Sequence, residues 1–320
     1  MSELLLDGTP FRLDAARSLK IYDSSLRRMA QRGEIRRVVH GVYVDARVPD
    51  SLLVRAAALA LILPKGVVVC RSTAAWLHGI DVQEINAHLR APEVEVCSRD
   101  GSAAIRRPGV RGYSALLPDD HVTVIAGIEV TTAARTAIDL ARWCERPDAL
   151  AYVDAMLHAR FVVPDELLAV IEKSVGLPWI EQAREIVDLS DGRAESGMES
   201  RMRLRYVDAG FPTPECQIPI LDDNGVERFR LDCGVRRRLY GFEYDGMEFH
   251  GPEQAEHDTA RRRWIACRGW TVNVFNREHV LGRSLAFEEL IGTALGIVPT
   301  IRHDRFRRRT YAYRRRGKAT

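Results

Sequence analysis

The 320-residue chain has no run of eighteen or so apolar residues, the length a helix needs to cross a bilayer. Its longest apolar stretch, Leu52 to Leu63, carries Arg55 and stops at Pro64. No membrane association is therefore expected. The opening MSELLLDGTPFR is acidic early and lacks the basic n-region of a secretory signal. Six cysteines are present, Cys70, Cys97, Cys144, Cys216, Cys233 and Cys267, and none lies close to another in sequence. That spacing excludes a CxxC redox pair and a zinc knuckle and points to reduced thiols in a cytoplasmic protein. Internal repeats are absent. What remains is ordinary for a globular protein, with 46% hydrophobic and 28% charged residues. The length suits two or three domains.

The net charge of +3 conceals an asymmetry. Between Pro299 and Thr320 nine Lys and Arg face the single acid Asp304, a net of +8, which leaves the rest at −5. Such a tail offers charge for phosphates, and Phe306, Tyr311 and Tyr313 offer rings for stacking. A solvated, solubilising end is the plainer reading of the same composition.

Residues 1–48 read as a small DNA-binding module. Asp14 is placed to cap a short helix, and Asp23 or Ser24 to cap a second, SLRRMAQR, which Gly33 ends. Leu26 and Met29 share an inner face, leaving Ser25, Arg27, Arg28 and Arg32 for solvent or DNA. IRRVVHGVYV then forms two short strands around His40-Gly41, with Arg36, Arg37 and His40 on the hairpin. Helix, turn, basic helix and hairpin is a winged helix-turn-helix pattern. Residues 49–189 mix helices with a strand-rich stretch from Val94 to Val130 and show no catalytic constellation. Ser72 is the expected cap of RSTAAWLHGI, and His78 reads as a hydrogen-bonded packing residue.

Residues 190–298 carry the chemistry. A helix at AESGMESRMRLRYVDAG precedes strands at Cys216 to Leu221 and Phe229 to Val235, with the turn Asp222-Asp223-Asn224-Gly225 between them. A third strand, Tyr240 to Asp245, presents Glu243 and Asp245 two apart, hence on one face. Pairing of the last two strands brings Asp232 close to both. Carboxylates converging in this way repel unless a cation or a proton neutralises them, and oxygen ligands of this kind suit Mg²⁺ or Mn²⁺. A helix at Asp258 to Gly269, a strand at Trp270 to Phe275 and a helix at Arg283 to Leu295 complete an α/β sandwich.

Two resemblances rest on these residues. ESRMR around Glu199, Asp232, EYDG at Glu243–Gly246, His250, Asp258 with Arg261 or Arg262, and GWTV from Gly269 resemble the very-short-patch-repair-like branch of the PD-(D/E)xK nucleases. That likeness implies a restriction-endonuclease-like α/β fold in which Asp232 and Glu243 hold Mg²⁺ (or Mn²⁺) and Glu199 assists. Asp245 stands where many members have lysine, which leaves His250 as a candidate for orienting or deprotonating water. RRMAQRGEIRRVVHGVYV, STAAWLHGI and VTTAARTAIDLA resemble AbiEi-type antitoxins, a likeness that implies operator binding by the winged helix and a nucleotidyltransferase toxin as partner.

The expectation is thus a multidomain α+β protein: a winged helix (1–48), a mixed α+β middle domain (49–189), a nuclease-like α/β domain (190–298) and a basic tail (299–320). The expected function is an antitoxin-like transcriptional regulator acting on double-stranded DNA. The alternative is a Mg²⁺-dependent endonuclease targeted by its winged helix.

Overall fold

Phe11, Leu26, Ile35 and Tyr43 are spaced so that two short helices and three strands close over one small core. In chain order these are β1 (Phe11–Arg12), α1 (Leu13–Ser18), α2 (Asp23–Gln31), β2 (Ile35–Val39) and β3 (Val42–Asp45). The strands pair antiparallel in the order β1-β3-β2. This is a computed structural model, and it describes residues 8–18, 22–80, 82, 94–101, 104–246 and 252–300. Tyr22, and neither Asp23 nor Ser24, is the extended residue before α2, because its carbonyl accepts the first helical N–H groups, those of Ser25 and Leu26.

The next segment forms α3 (Leu52–Ala60), whose first turn is capped by the Ser51 hydroxyl accepting from the Val54 N–H. β4 (Val67–Val69), α4 (Arg71–Leu77), β5 (Val94–Ser98), β6 (Arg106–Arg107), β7 (Val110–Ser114), β8 (Val122–Ile125) and β9 (Ile128–Thr131) follow. These strands make one six-stranded mixed sheet in the order β6-β7-β5-β4-β9-β8. Val39 and Val42 of the small module share a core with Ala56, Leu59, Val67, Val94 and Val130, so packing is continuous across residue 48. Cys70, not Ser72, occupies the cap position of α4. Ser72 lies inside the first turn and gives its hydroxyl to Glu95 instead. His78 is hydrogen-bonded through Nε2 to the Thr131 carbonyl at 2.8 Å. Thr132 then leads into α5 (Ala133–Trp143).

The chain divides into two compact units, the first made of residues 1–143 and 159–187, the second of 144–158 and 188–320. α6 (Arg146–His158) therefore belongs to the second unit, whereas α7 (Pro164–Lys173) and most of α8 (Ile180–Leu189) belong to the first.

In the second unit α9 (Gly197–Asp208) starts at Ser196, whose hydroxyl accepts from the Glu199 N–H. β10 (Glu215–Leu221), β11 (Glu227–Val235), β12 (Tyr240–Tyr244) and, after α10 (Pro252–Ala266), β13 (Thr271–Phe275) form a mixed sheet in sequence order, with only β12 and β13 parallel. Asn224-Gly225 makes the β10–β11 turn, and Gly225 takes a φ of +77° that a side chain would resist. α11 (Arg277–Leu281) and α12 (Ala286–Leu295) close the unit. They are two helices rather than one because Gly282 adopts an extended backbone between them. One core, with Met202, Tyr206, Phe242, Phe275 and Phe287, packs α9, α11 and α12 on the sheet. Another, with Ile218, Ile220, Leu231 and Ile265, packs α10. Stacking of Tyr206 on Phe242 at 4.6 Å between centroids is worth about 0.5–1.5 kcal/mol beyond burial. The fold is mixed α+β, and among the described residues no helix is long and apolar enough to cross a membrane.

Candidate functional site

Two groups of residues stand out. The first is the outer face of α2. Burial of Leu26 and half-burial of Met29 turn Arg27 and Arg28 outward, and Arg32 just beyond the helix is exposed as well. Arg28 reaches Ser25 Oγ at 3.4 Å, and Arg32 lies 3.8 Å from Glu34, both weak surface contacts. On the hairpin Arg37 is exposed. Arg36 instead bends back to the Val48 carbonyl through Nε and Nη2. His40 is exposed but rests on Gly109, where a Cβ would lie 2.7 Å from the His40 ring. The hairpin tip is thus seated on the β6–β7 turn, so only part of the expected basic set faces outward.

The second group surrounds Asp232. Its position follows from one irregular residue. Cys216 pairs with Cys233 and Ile218 with Leu231, so Gln217 stands opposite Asp232. Gln217 has φ +55°, and this left-handed step breaks the alternation of β10. Cys216 and Cys233 pack toward α9, while Ile218 and Leu231 pack toward α10. Asp232 lies at the crossover. The β11–β12 ladder pairs residues down to Cys233 and Phe242, and beyond its end the Tyr244 N–H donates to Asp232 Oδ2 at 2.8 Å. Burial pushes the Asp232 carboxyl up to about 7, the charges of Glu199 and Glu243 push the same way, and the Tyr244 N–H and Arg261 oppose them.

Glu199, in the first turn of α9, accepts from the Glu195 N–H at 3.0 Å and from Gln217 Nε2 at 3.1 Å. Glu243 is buried, and both of its oxygens take the Arg261 guanidinium, one of them at 2.8 Å. Asp245 extends the β12–β13 ladder through its N–H to the Phe275 carbonyl. Glu199 and Glu243 both lie close enough to Asp232 for their charges to act on its carboxyl. His250 lies outside the described residues. Gln217 was not foreseen, since nothing in the sequence signals a left-handed residue within a strand.

The repulsion expected of converging carboxylates is relieved here from within. Arg261 supplies the cation for Glu243, and burial raises the pKa of Asp232. With both Glu243 oxygens on Arg261, the expected pair Asp232 and Glu243 does not offer a divalent ion a free ligand set, and among the described residues no group of three His, Cys, Asp or Glu is arranged to hold a metal. As arranged, these residues do not fit Mg²⁺.

Residues 67–189 match the AbiEi antitoxin C-terminal domain. Two uncharacterized proteins of Mycobacterium tuberculosis, MT2308 from strain CDC 1551 / Oshkosh and Rv2248 from strain ATCC 25618 / H37Rv, are each 36% identical to the chain over 242 residues, covering 75% of it and 84% of the relative. The chain belongs to their family. The AbiEi-type segment runs from β4 to the end of α8, so it spans the six-stranded sheet and includes α6, which packs in the second unit. It begins beyond the α2 face and ends before the Asp232 cluster, and it supports an antitoxin or regulator role for the chain.

Proposed function

We propose that the protein is a DNA-binding regulator of the antitoxin type that reads double-stranded DNA through α2. The carrying observation is that burial of Leu26 presents Arg27 and Arg28 together on the outer face of a short helix in a β-α-α-β-β module. That order, with β1 beside β3, supports a winged helix whose second helix enters the major groove. The AbiEi-type segment supports the regulatory setting, and by the same resemblance a nucleotidyltransferase toxin is the proposed protein partner. The order α9, β10, β11, β12, α10, β13 supports a PD-(D/E)xK-like fold for the second unit, used for binding rather than cleavage because Arg261 engages Glu243 and burial disfavours the charged form of Asp232.

The test is binding of the full chain to a duplex from its own promoter. Arg27→Ala or Arg28→Ala is expected to cost about 1–3 kcal/mol each if the side chain contacts a base edge. Equal affinity for the promoter and an unrelated duplex, unchanged by either substitution, would remove the reading. Mg²⁺-dependent nicking that disappears in Asp232→Ala and Glu243→Ala would instead favour the endonuclease.

A further inference from the structure

A different side chain in the first unit is built as a receptor. Arg71 opens α4 with φ +51°, a left-handed backbone that a residue with a Cβ adopts at a cost and that recurs at functional sites. Its guanidinium lies 3.4 Å from the centre of the Tyr113 ring and 4.6 Å from that of Trp143. Cation–π contacts engage the faces of a guanidinium and leave its N–H edge for hydrogen bonds. Among the described residues that edge has no hydrogen-bond partner.

The carboxylate that would ordinarily take it is spent elsewhere. Glu95 Oε2 accepts from the Ser72 N–H at 3.0 Å and from the Ser72 hydroxyl at 2.5 Å, and Oε1 accepts from the Tyr113 hydroxyl at 2.7 Å. The next carboxylate, Asp139, is divided between Arg135 and Arg142, at 2.8 and 3.0 Å. Arg71, Arg135 and Arg142 lie close to one another, and the neighbouring carboxylates Glu95 and Asp139 are already engaged. Arg71 is half-buried, so its charge is held at the surface with few competing contacts.

We propose that Arg71, set by Tyr113 and Trp143, is the anchor of a site for a phosphate group. The planar fork of arginine matches two phosphate oxygens, and the excess positive charge favours phosphate over a singly charged carboxylate. The phosphate is carried by a free nucleotide or by a DNA backbone. The site is separate from the α2 face and stands or falls without it.

The test follows the Arg71 Nε–H resonance of the ¹⁵N-labelled full chain during titration with sodium phosphate at constant ionic strength, assigned with Arg71→Lys. The expected result is a saturable shift that sodium chloride does not produce and that acetate produces only at higher concentration. Ser72→Ala removes one of the two donors on Glu95 Oε2, leaving that oxygen better able to compete for Arg71, and is expected to weaken phosphate several-fold. Adenosine monophosphate binding more tightly than inorganic phosphate points to the nucleotide source, and a shift of the same resonance by a short duplex points to DNA. A response linear in salt, or acetate equal to phosphate, overturns the proposal. So does a Ser72→Ala variant that binds phosphate as the parent does.

Discussion

Asp232 is held where ionisation is opposed by burial and by two neighbouring carboxylates, and its carboxyl is pushed up to about 7 from a usual 3.8. Between those two values the folded state binds the proton and the unfolded state does not, so stability falls as pH rises through the window and stays low above it. Each tenfold change in proton affinity corresponds to about 1.4 kcal/mol, and with water still reaching the group the net effect is on the order of 2 kcal/mol. Asp232→Asn keeps an oxygen for the Tyr244 N–H and removes the charge. Urea unfolding is expected to find the variant more stable than the parent at pH 8, with the advantage gone near pH 4. Parallel stability curves would mean that Asp232 titrates as an ordinary carboxylate. The approach of Asp232 to Glu243 was legible from strand spacing, and the addition of Glu199 came from the resemblance alone. The answering charge of Arg261 was not legible, because it comes from α10, whose docking on the sheet through Ile265 is a tertiary contact that strand alternation does not encode.

At the scale of the element, α9 shows how burial can invert a sequence reading. In the sequence the helix has Met198, Met202 and Val207 to supply an inner face. The helix forms as expected, yet Arg201, Arg203 and Arg205 are buried. Each finds a carboxylate supplied by another helix. Arg201 pairs with Asp148 at 2.7 Å, Arg203 with Asp154 at 2.6 Å, and Arg205 with Glu288 at 2.8 Å. Arg205 also donates to the carbonyls of Val280, Gly282 and Ser284, binding the end of α11 to the start of α12. Periodicity records which residues share a face but not how many neighbours will cover the helix, so these pairings could not be read in advance. Glu288→Ala leaves the Arg205 charge buried without its carboxylate and is expected to cost about 3–5 kcal/mol. Asp208→Ala is expected to cost less, because its partner Arg146 is 27% exposed and can be solvated. Chemical unfolding of both variants checks the order, and equal losses would contradict it.

At the scale of the molecule, chain order and packing order differ. The composition and spacing of the sequence suggest a boundary near Ser190, where a helix ends and the acidic cluster begins. Compactness instead places α6 with the later residues. That helix buries Leu150, Val153 and Met156 and pairs with α9 through Asp148 and Asp154, although it sits inside a segment whose other helices pack in the first unit. A cut at residue 190 strips α6 from α9, exposing apolar surface at roughly 25 cal/mol per Å² and leaving Arg201 and Arg203 without their partners. Arg203 also donates to the Leu189 carbonyl, which the same cut removes. The fragment 190–320 is therefore expected to lose cooperative thermal unfolding and to bind a hydrophobic dye. The fragment 144–320 restores α6 and is expected to unfold cooperatively, with 159–187 as an unpacked excursion open to protease. The two fragments differ by one packed helix, so calorimetry of the pair isolates its contribution. If 190–320 melts as sharply and at the same temperature as 144–320, α6 is dispensable to the second unit, and the boundary belongs where the sequence suggests.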